Sequence, residues 1–221
     1  MRIVFCDTET TGLSPDHCAV ISYCAAVWND GDVTALTHRK VLPWDGAVIT
    51  PEACRVNGYN APGWAAEGAT PLNAEDIKTF HEYLNGAVVG GSNVGFDKGF
   101  IAAECRRLGA QPPRWNHRNA DTSAMAFPLV VAGAVENAGL AALAEYFGVT
   151  HERPHDAVSD VEATIQVFER LCDELLFRPR QWKEALAEIY AKAGPESGIV
   201  SYDAKACAKI AGDALGVGGG P

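Results

Sequence analysis

The chain lacks any apolar run of the roughly eighteen residues that a membrane-crossing helix requires, and it lacks an early segment joining a basic start, an apolar stretch and a small-residue cleavage site. Paired cysteines are missing too. Cys6, Cys18, Cys24, Cys54, Cys105, Cys172 and Cys207 are odd in number, scattered and never spaced C-x-x-C, which argues against a disulfide framework and against a zinc site. They read as reduced, mostly buried small apolar residues, and the chain as a soluble cytoplasmic protein with no membrane partner. Basic charge is scarce. Against 28 Asp and Glu stand 18 Lys and Arg, a net charge of −10. An acidic balance repels a polyanion, which argues against a protein that coats duplex DNA by counterion release. It leaves room for an enzyme that grips a short strand end through metal ions. The sign reverses locally, where Lys98, Arg106, Arg107, Arg114 and Arg118 face only Glu104. That stretch is either a solvated helix face or a strand-binding rim.

What is present is enough apolar material for one good core: 221 residues, 48% hydrophobic and 21% charged. RIVFCDTE is a short run of strand formers that ends in the turn cluster T-T-G-L-S-P. AVISYCAAVW and VTALTHRKVL follow, joined at Asp30-Gly31, a strong hairpin signal. Residues 51–73 are rich in Pro, Gly, Asn and Ala and predict loops with one short helix from Pro51 to about Val56. Helical spacing returns over Ala74–Leu84, AVVGGSN reads as a buried strand, and a helix runs from about Gly95 to Leu108 before Gly109 ends it. A short segment near Arg118–Asp121 precedes helices over about Thr122–Val131, Leu140–Phe147 and Asp156–Leu176. An antiparallel three-strand meander followed by alternating helices and strands resembles the ribonuclease H-like fold, an α/β mixed sheet flanked by helices. Beyond Arg178, Gln181–Ala193 is amphipathic, Asp203–Leu215 is a weaker helix, and GVGGGP is a flexible end.

Three segments carry chemistry. Asp7 and Glu9 are one residue apart on a strand, so they project from one face with alpha carbons roughly 6.5 Å apart. Two such carboxylates repel unless a cation neutralises them, although a lone D-x-E more often caps a turn or pairs with basic residues. Asp97, in N-V-G-F-D, sits where a strand gives way to a helix, a place where ligands gather in open sheets and where helices also favour ordinary acids. In H-D-A-V-S-D, Asp160 heads the stripe Thr164, Val167, Phe168 and Leu171, so it points toward the sheet. His155 precedes that helix. His17, His38, His81, His117 and His151 read as satisfied surface or core residues. Four converging carboxylates with all-oxygen ligation suit Mg²⁺ or Mn²⁺, and a pair of such ions suits phosphodiester hydrolysis.

F-C-D-T-E-T-T-G-L, N-V-G-F-D and H-D-A-V-S-D resemble, in order and spacing, the three motifs of the DnaQ-like exonucleases in their histidine-containing DEDDh branch. That branch includes the epsilon subunit of bacterial DNA polymerase III, ribonuclease T and the three-prime repair exonucleases. Ile49-Thr-Pro-Glu-Ala and Asn57-Gly58-Tyr59 resemble the connecting segment, and the likeness covers about residues 2–176. The resemblance implies a 3′→5′ exonuclease domain over residues 1–177 and a helical extension over 178–221. It implies two ions, Mg²⁺ or Mn²⁺, with Asp7 bridging them, Glu9 and Asp160 completing one site and Asp97 helping to hold the other. His155 would be the general base, a role that histidine's ordinary titration near neutrality permits. Thr8, Thr10, Leu13, Asn93 and Phe96 would seat the terminal nucleotide, Phe96 by stacking, while a core position for Phe96 is equally open. Ser92-Asn93 departs from the His-Asn of many relatives. The implied substrate is the 3′ end of nucleic acid, a single strand or frayed terminus, with DNA in repair or proofreading as the first reading. An RNA trimmer is the alternative, and a non-catalytic nucleic-acid-binding module is the reading from another class. A polymerase or a second copy of the chain remains open as a partner.

Overall fold

The computed structural model describes residues 2–174. The chain divides into two units, Met1–Leu171 and Cys172–Pro221; the helices expected at Gln181–Ala193 and Asp203–Leu215 and the flexible end lie outside the described residues. Strands β1 (Arg2–Thr10), β2 (Val20–Asn29) and β3 (Asp32–Leu42) form the antiparallel meander. The β2–β3 turn uses positive φ at Asp30 (49°) and Gly31 (104°), as its Asp-Gly step predicts. Helices α1 (Pro51–Asn57) and α2 (Ala61–Ala66), the two-residue strand β4 (Thr70–Pro71) and helix α3 (Ala74–Leu84) come next. Then follow β5 (Val88–Gly91), α4 (Val94–Arg107), β6 (Asn119–Asp121), α5 (Thr122–Val131) and α6 (Leu140–Phe147). A last helix, α7, occupies residues 157–174.

The six strands lie in the order β4-β3-β2-β1-β5-β6, with β5 and β6 parallel to β1. This is the mixed sheet that the element order predicts. Two elements depart from expectation, since α2 and β4 lie in the stretch read as loop. In α2 a proline occupies the first turn, where its missing N–H costs nothing, and buried Trp64 anchors the helix.

Central β1 is covered on both faces. Val4 and Cys6 join Phe100, Ile101 and Cys105 of α4 in one core cluster, whereas Phe5 packs edge-on against Phe168 of α7 at 5.2 Å. The β1–β5 contact depends on glycine: a Cβ at Gly90 would come within 2.6 Å of the Phe5 ring. A smaller cluster of Ala126, Leu143, Ala144, Val167 and Leu171 joins α5, α6 and α7. Asp121 ties two helix starts together. Its Oδ2 accepts the Val94 N–H (3.0 Å), and its Oδ1 accepts those of Asn93 (3.3 Å) and Ala124 (3.2 Å). Cys6, Cys18, Cys24 and Cys105 are buried and form no disulfide.

Candidate active site

Side chains alternate along β1, so Phe5, Asp7 and Glu9 share one face while Cys6, Thr8 and Thr10 share the other. The Phe5–Phe168 contact seats α7 over the first face, and Asp160, in the first turn of α7, reaches the carboxylates just beyond. The opposite face meets α4. There the backbone N–H and the hydroxyl of Thr8 both donate to Asp97 Oδ1, each at 2.8 Å. One strand therefore delivers two acids directly and fixes a third through the threonine between them.

A further wall is the turn before α7. His155 has a φ of 66°, left-handed backbone that few residues other than glycine adopt. Its N–H donates to Asp160 Oδ1 (3.1 Å). Asp156 caps α7 by accepting the Ser159 N–H (3.1 Å), and Ser159 Oγ accepts the Arg153 N–H (3.2 Å). The turn is thus set by local hydrogen bonds, with the imidazole exposed at its crest. Glu9, His155 and Asp160 each offer one ligand atom, and these atoms lie within 4.8 Å of one another. Asp7 and Asp97 stand outside that tight trio, but all five residues line one cavity of about 750 Å³.

Crowded carboxylates make the site costly to charge. Burial, then Asp97, Asp160 and Glu9, push the Asp7 carboxyl well above its ordinary range. Glu9 is pushed up to about 7 by burial and by Asp160, Asp156 and Asp97. Asp97 is also raised by burial, although the two Thr8 hydrogen bonds oppose the shift. Such a set of oxygen donors, repelling one another at neutral pH, fits a hard divalent cation.

Thr8, Thr10, Leu13, Asn93 and Phe96 all line the cavity, in different ways. Leu13 is 85% exposed. Asn93, exposed and at φ 66°, begins α4 without a side-chain cap bond. Phe96 is partly buried against Phe100, ring centroids 4.8 Å apart, so it is both core and wall. Thr8 has its hydroxyl engaged by Asp97, and Thr10 donates to the Gly12 carbonyl (2.7 Å).

Sequence reasoning missed two residues here. His151, set aside as a satisfied residue, places Nε2 2.6 Å from Asp160 Oδ1. An ionised carboxylate only accepts, so in that form the bond is made by the tautomer with its proton on Nε2. Asn57 donates to the Thr10 carbonyl (2.9 Å) and accepts the Tyr59 N–H (3.1 Å), bracing the turn after β1. Its signal was the Asn57-Gly58 turn. The basic stretch is partly committed elsewhere, Lys98 to Asn119 (2.6 Å) and Arg107 to Glu104 (2.6 Å).

A mixed sheet that gathers four acids and a histidine in one cavity defines a nuclease-like site, and a family model described as Exonuclease (RNase_T) matches residues 4–168. The chain belongs to that family, the DnaQ-like exonucleases its motifs resemble. Among similar proteins is a DNA polymerase III subunit epsilon-like protein of Rhodobacter capsulatus, 32% identical over 80% of this chain and 25% of that protein. Ribonuclease T of Photobacterium profundum is 28% identical over 75% of this chain and 79% of that protein. Exonuclease I of Methylocaldum szegediense superposes with a TM-score of 0.65 at 26% identity, covering 83% of this chain and 43% of that one. The chain thus spans only a quarter of the first of these relatives and less than half of the solved structure.

Proposed function

We propose that the chain is a metal-dependent 3′→5′ exonuclease that releases nucleoside 5′-monophosphates from DNA. The observation that carries this reading is the convergence of Asp7, Glu9, Asp97, Asp160 and His155 on one cavity, with the Asp7, Glu9 and Asp97 carboxyls raised chiefly by burial. Asp7, Glu9, Asp97 and Asp160 would hold two ions, Mg²⁺ or Mn²⁺. Bound there, they would supply Lewis-acid polarisation of the phosphate and neutralise charge on attacking and leaving oxygens.

The chain's own groups do the rest. His155, exposed at the crest of its turn, accepts the proton of the attacking water. The Thr8 pair holds Asp97, and His151 holds Asp160, so both acids are oriented before substrate arrives. Leu13 at the cavity mouth and Phe96 in its wall hold the terminal base, while Thr8, Thr10 and Asn93 line the space for its sugar. In this reading residues 1–177 are the exonuclease domain, 178–221 an extension, and the protein acts in the cytoplasm, with a polymerase as an open partner.

DNA is favoured because the relatives include a DNA polymerase III subunit epsilon-like protein and PolC-type DNA polymerase III. The presence of ribonuclease T among them supports RNA trimming as the second reading. The test is digestion of 5′-labelled single-stranded DNA, duplex DNA and RNA with Mg²⁺, Mn²⁺ or EDTA. Shortening from the 3′ end of DNA, with mononucleotide release and only with metal, is expected. Laddering from the 5′ end, cutting of circles or full activity after exhaustive chelation would refute the reading.

A further inference from the structure

A second groove of about 360 Å³ opens beside the cavity and shares Glu9, Val56, Asn57 and His155 with it. Its other walls include Ser22, Lys40, Trp64 and Pro154. Sheet register explains the alignment. Glu9 pairs with Ser22 across β1–β2, and Ser22 pairs with Lys40 across β2–β3, so the three form one cross-strand row on one face. Two strand spacings separate the alpha carbons of Glu9 and Lys40 by roughly 10 Å. The lysine stem is steadied where it lies: Nζ sits 5.1 Å from the Trp64 ring centroid and 2.8 Å from Glu67 Oε2. Lys40 and Glu67 are 37% and 57% exposed at their side chains, and an exposed pair of this kind is weak enough for a phosphate to displace.

This inference rests on the exonuclease reading. With the terminal nucleotide in the larger cavity and the bond to be cut beside the carboxylates, the wall formed by Glu9 and His155 offers the strand a way out into the groove that shares them. The groove begins at those two residues. We infer that it seats the nucleotide on the 5′ side of the scissile phosphodiester, with the Lys40 ammonium against its backbone phosphate. The other charges around the groove are Glu9 and Asp156, the latter paired with Arg153 at 3.5 Å. Lys40 is thus the cation in its lining, placed one phosphate beyond the acidic centre that would otherwise repel the strand. Ser22 adds a neutral floor, its hydroxyl 3.2 Å from His38 Nε2.

The test compares two substrates: a single-stranded oligodeoxynucleotide, and the p-nitrophenyl ester of thymidine 5′-monophosphate, whose leaving group carries no phosphate for Lys40. Lys40→Gln should lower kcat/KM for the oligonucleotide relative to the ester severalfold, mainly through KM, and Lys40→Arg should restore the ratio. Against salt, the slope of log KM for the oligonucleotide should shrink by about 0.7, the value for one phosphate contact on a single strand. An unchanged ratio in Lys40→Gln, or equal loss on both substrates, would overturn the groove assignment and leave the exonuclease reading intact. Wild-type protein that cleaves neither substrate with metal would instead overturn the exonuclease reading, and the groove assignment with it.

Discussion

Asp7, Glu9 and Asp97 stand on a strand and a helix whose backbones are fixed by regular hydrogen bonding, whereas His155 stands exposed on a turn, in left-handed backbone. The frame side holds charge where it is costly, and the turn side holds the group that would exchange protons. Ligands must keep their mutual distances, which regular structure enforces. A base needs solvent and access to substrate, which a turn allows. Asp160 joins the two sides, since it belongs to α7 and accepts hydrogen bonds from both His151 and His155.

The comparison is tested most severely on the frame side. Asp7→Asn keeps the shape and removes charge, so hydrolysis should fall by roughly 10³-fold or more, the upper range for removing one electrostatic group from a reacting centre. The metal-free variant should melt no lower than wild type at neutral pH, because burial and the neighbouring acids oppose charging Asp7. Wild-type turnover by Asp7→Asn would refute the assignment. On the turn side, His155→Ala should lower kcat by roughly 10²–10⁴-fold and flatten the acid limb of the pH–rate profile. Its metal-dependent rise in Tm should stay close to wild type. A lost thermal response would move His155 from base to ligand.

Between the walls, His151→Ala should weaken Mn²⁺ binding about 10–100-fold, the usual cost of losing a group that orients a ligand. His151→Gln, which can still donate, should recover part of it. Titrating Mn²⁺ against thermal stability reads this directly, and unchanged affinity in His151→Ala would separate the turn from the ligand frame. The smallest effect is on stability alone. Folding raises the Glu9 carboxyl from 4.5 to about 7, so its protonated form favours the fold at low pH. That contribution is lost as pH rises across this window. Metal-free protein should therefore melt at lower temperature near pH 7 than near pH 4.5, and Mg²⁺ or Mn²⁺ should offset the fall. A metal-free Tm that rises through the window would contradict the raised carboxyls.

Much of this was legible in the sequence, for identifiable reasons. The β-hairpin followed from Asp30-Gly31, α3 from its apolar spacing, and the pairing of Asp7 with Glu9 from strand alternation. What escaped has a physical cause as well. The segment APGWAA lacks helical periodicity, and α2 is held by a first-turn proline and one buried tryptophan. Strand β4 is two residues long and ends in Pro71, too short for alternation to register. The Thr8–Asp97 bonds span 89 residues, and no local pattern encodes such a contact. His151 lies nine residues from Asp160 and joins it through a turn whose shape depends on left-handed backbone at His155.

The carboxylate of Asp121 is a shared clamp, since it receives amide protons from the starts of both α4 and α5. Opening either helix end costs the other its anchor, so the amide protons of Val94 and Ala124 should exchange with deuterated solvent in step rather than independently. Asp97 lies three residues beyond Val94, within the first turn of α4. Breathing at a position distant in sequence from every motif would then be felt as wandering of one carboxylate, and Asp121→Asn would loosen the acidic cluster without touching a member of it.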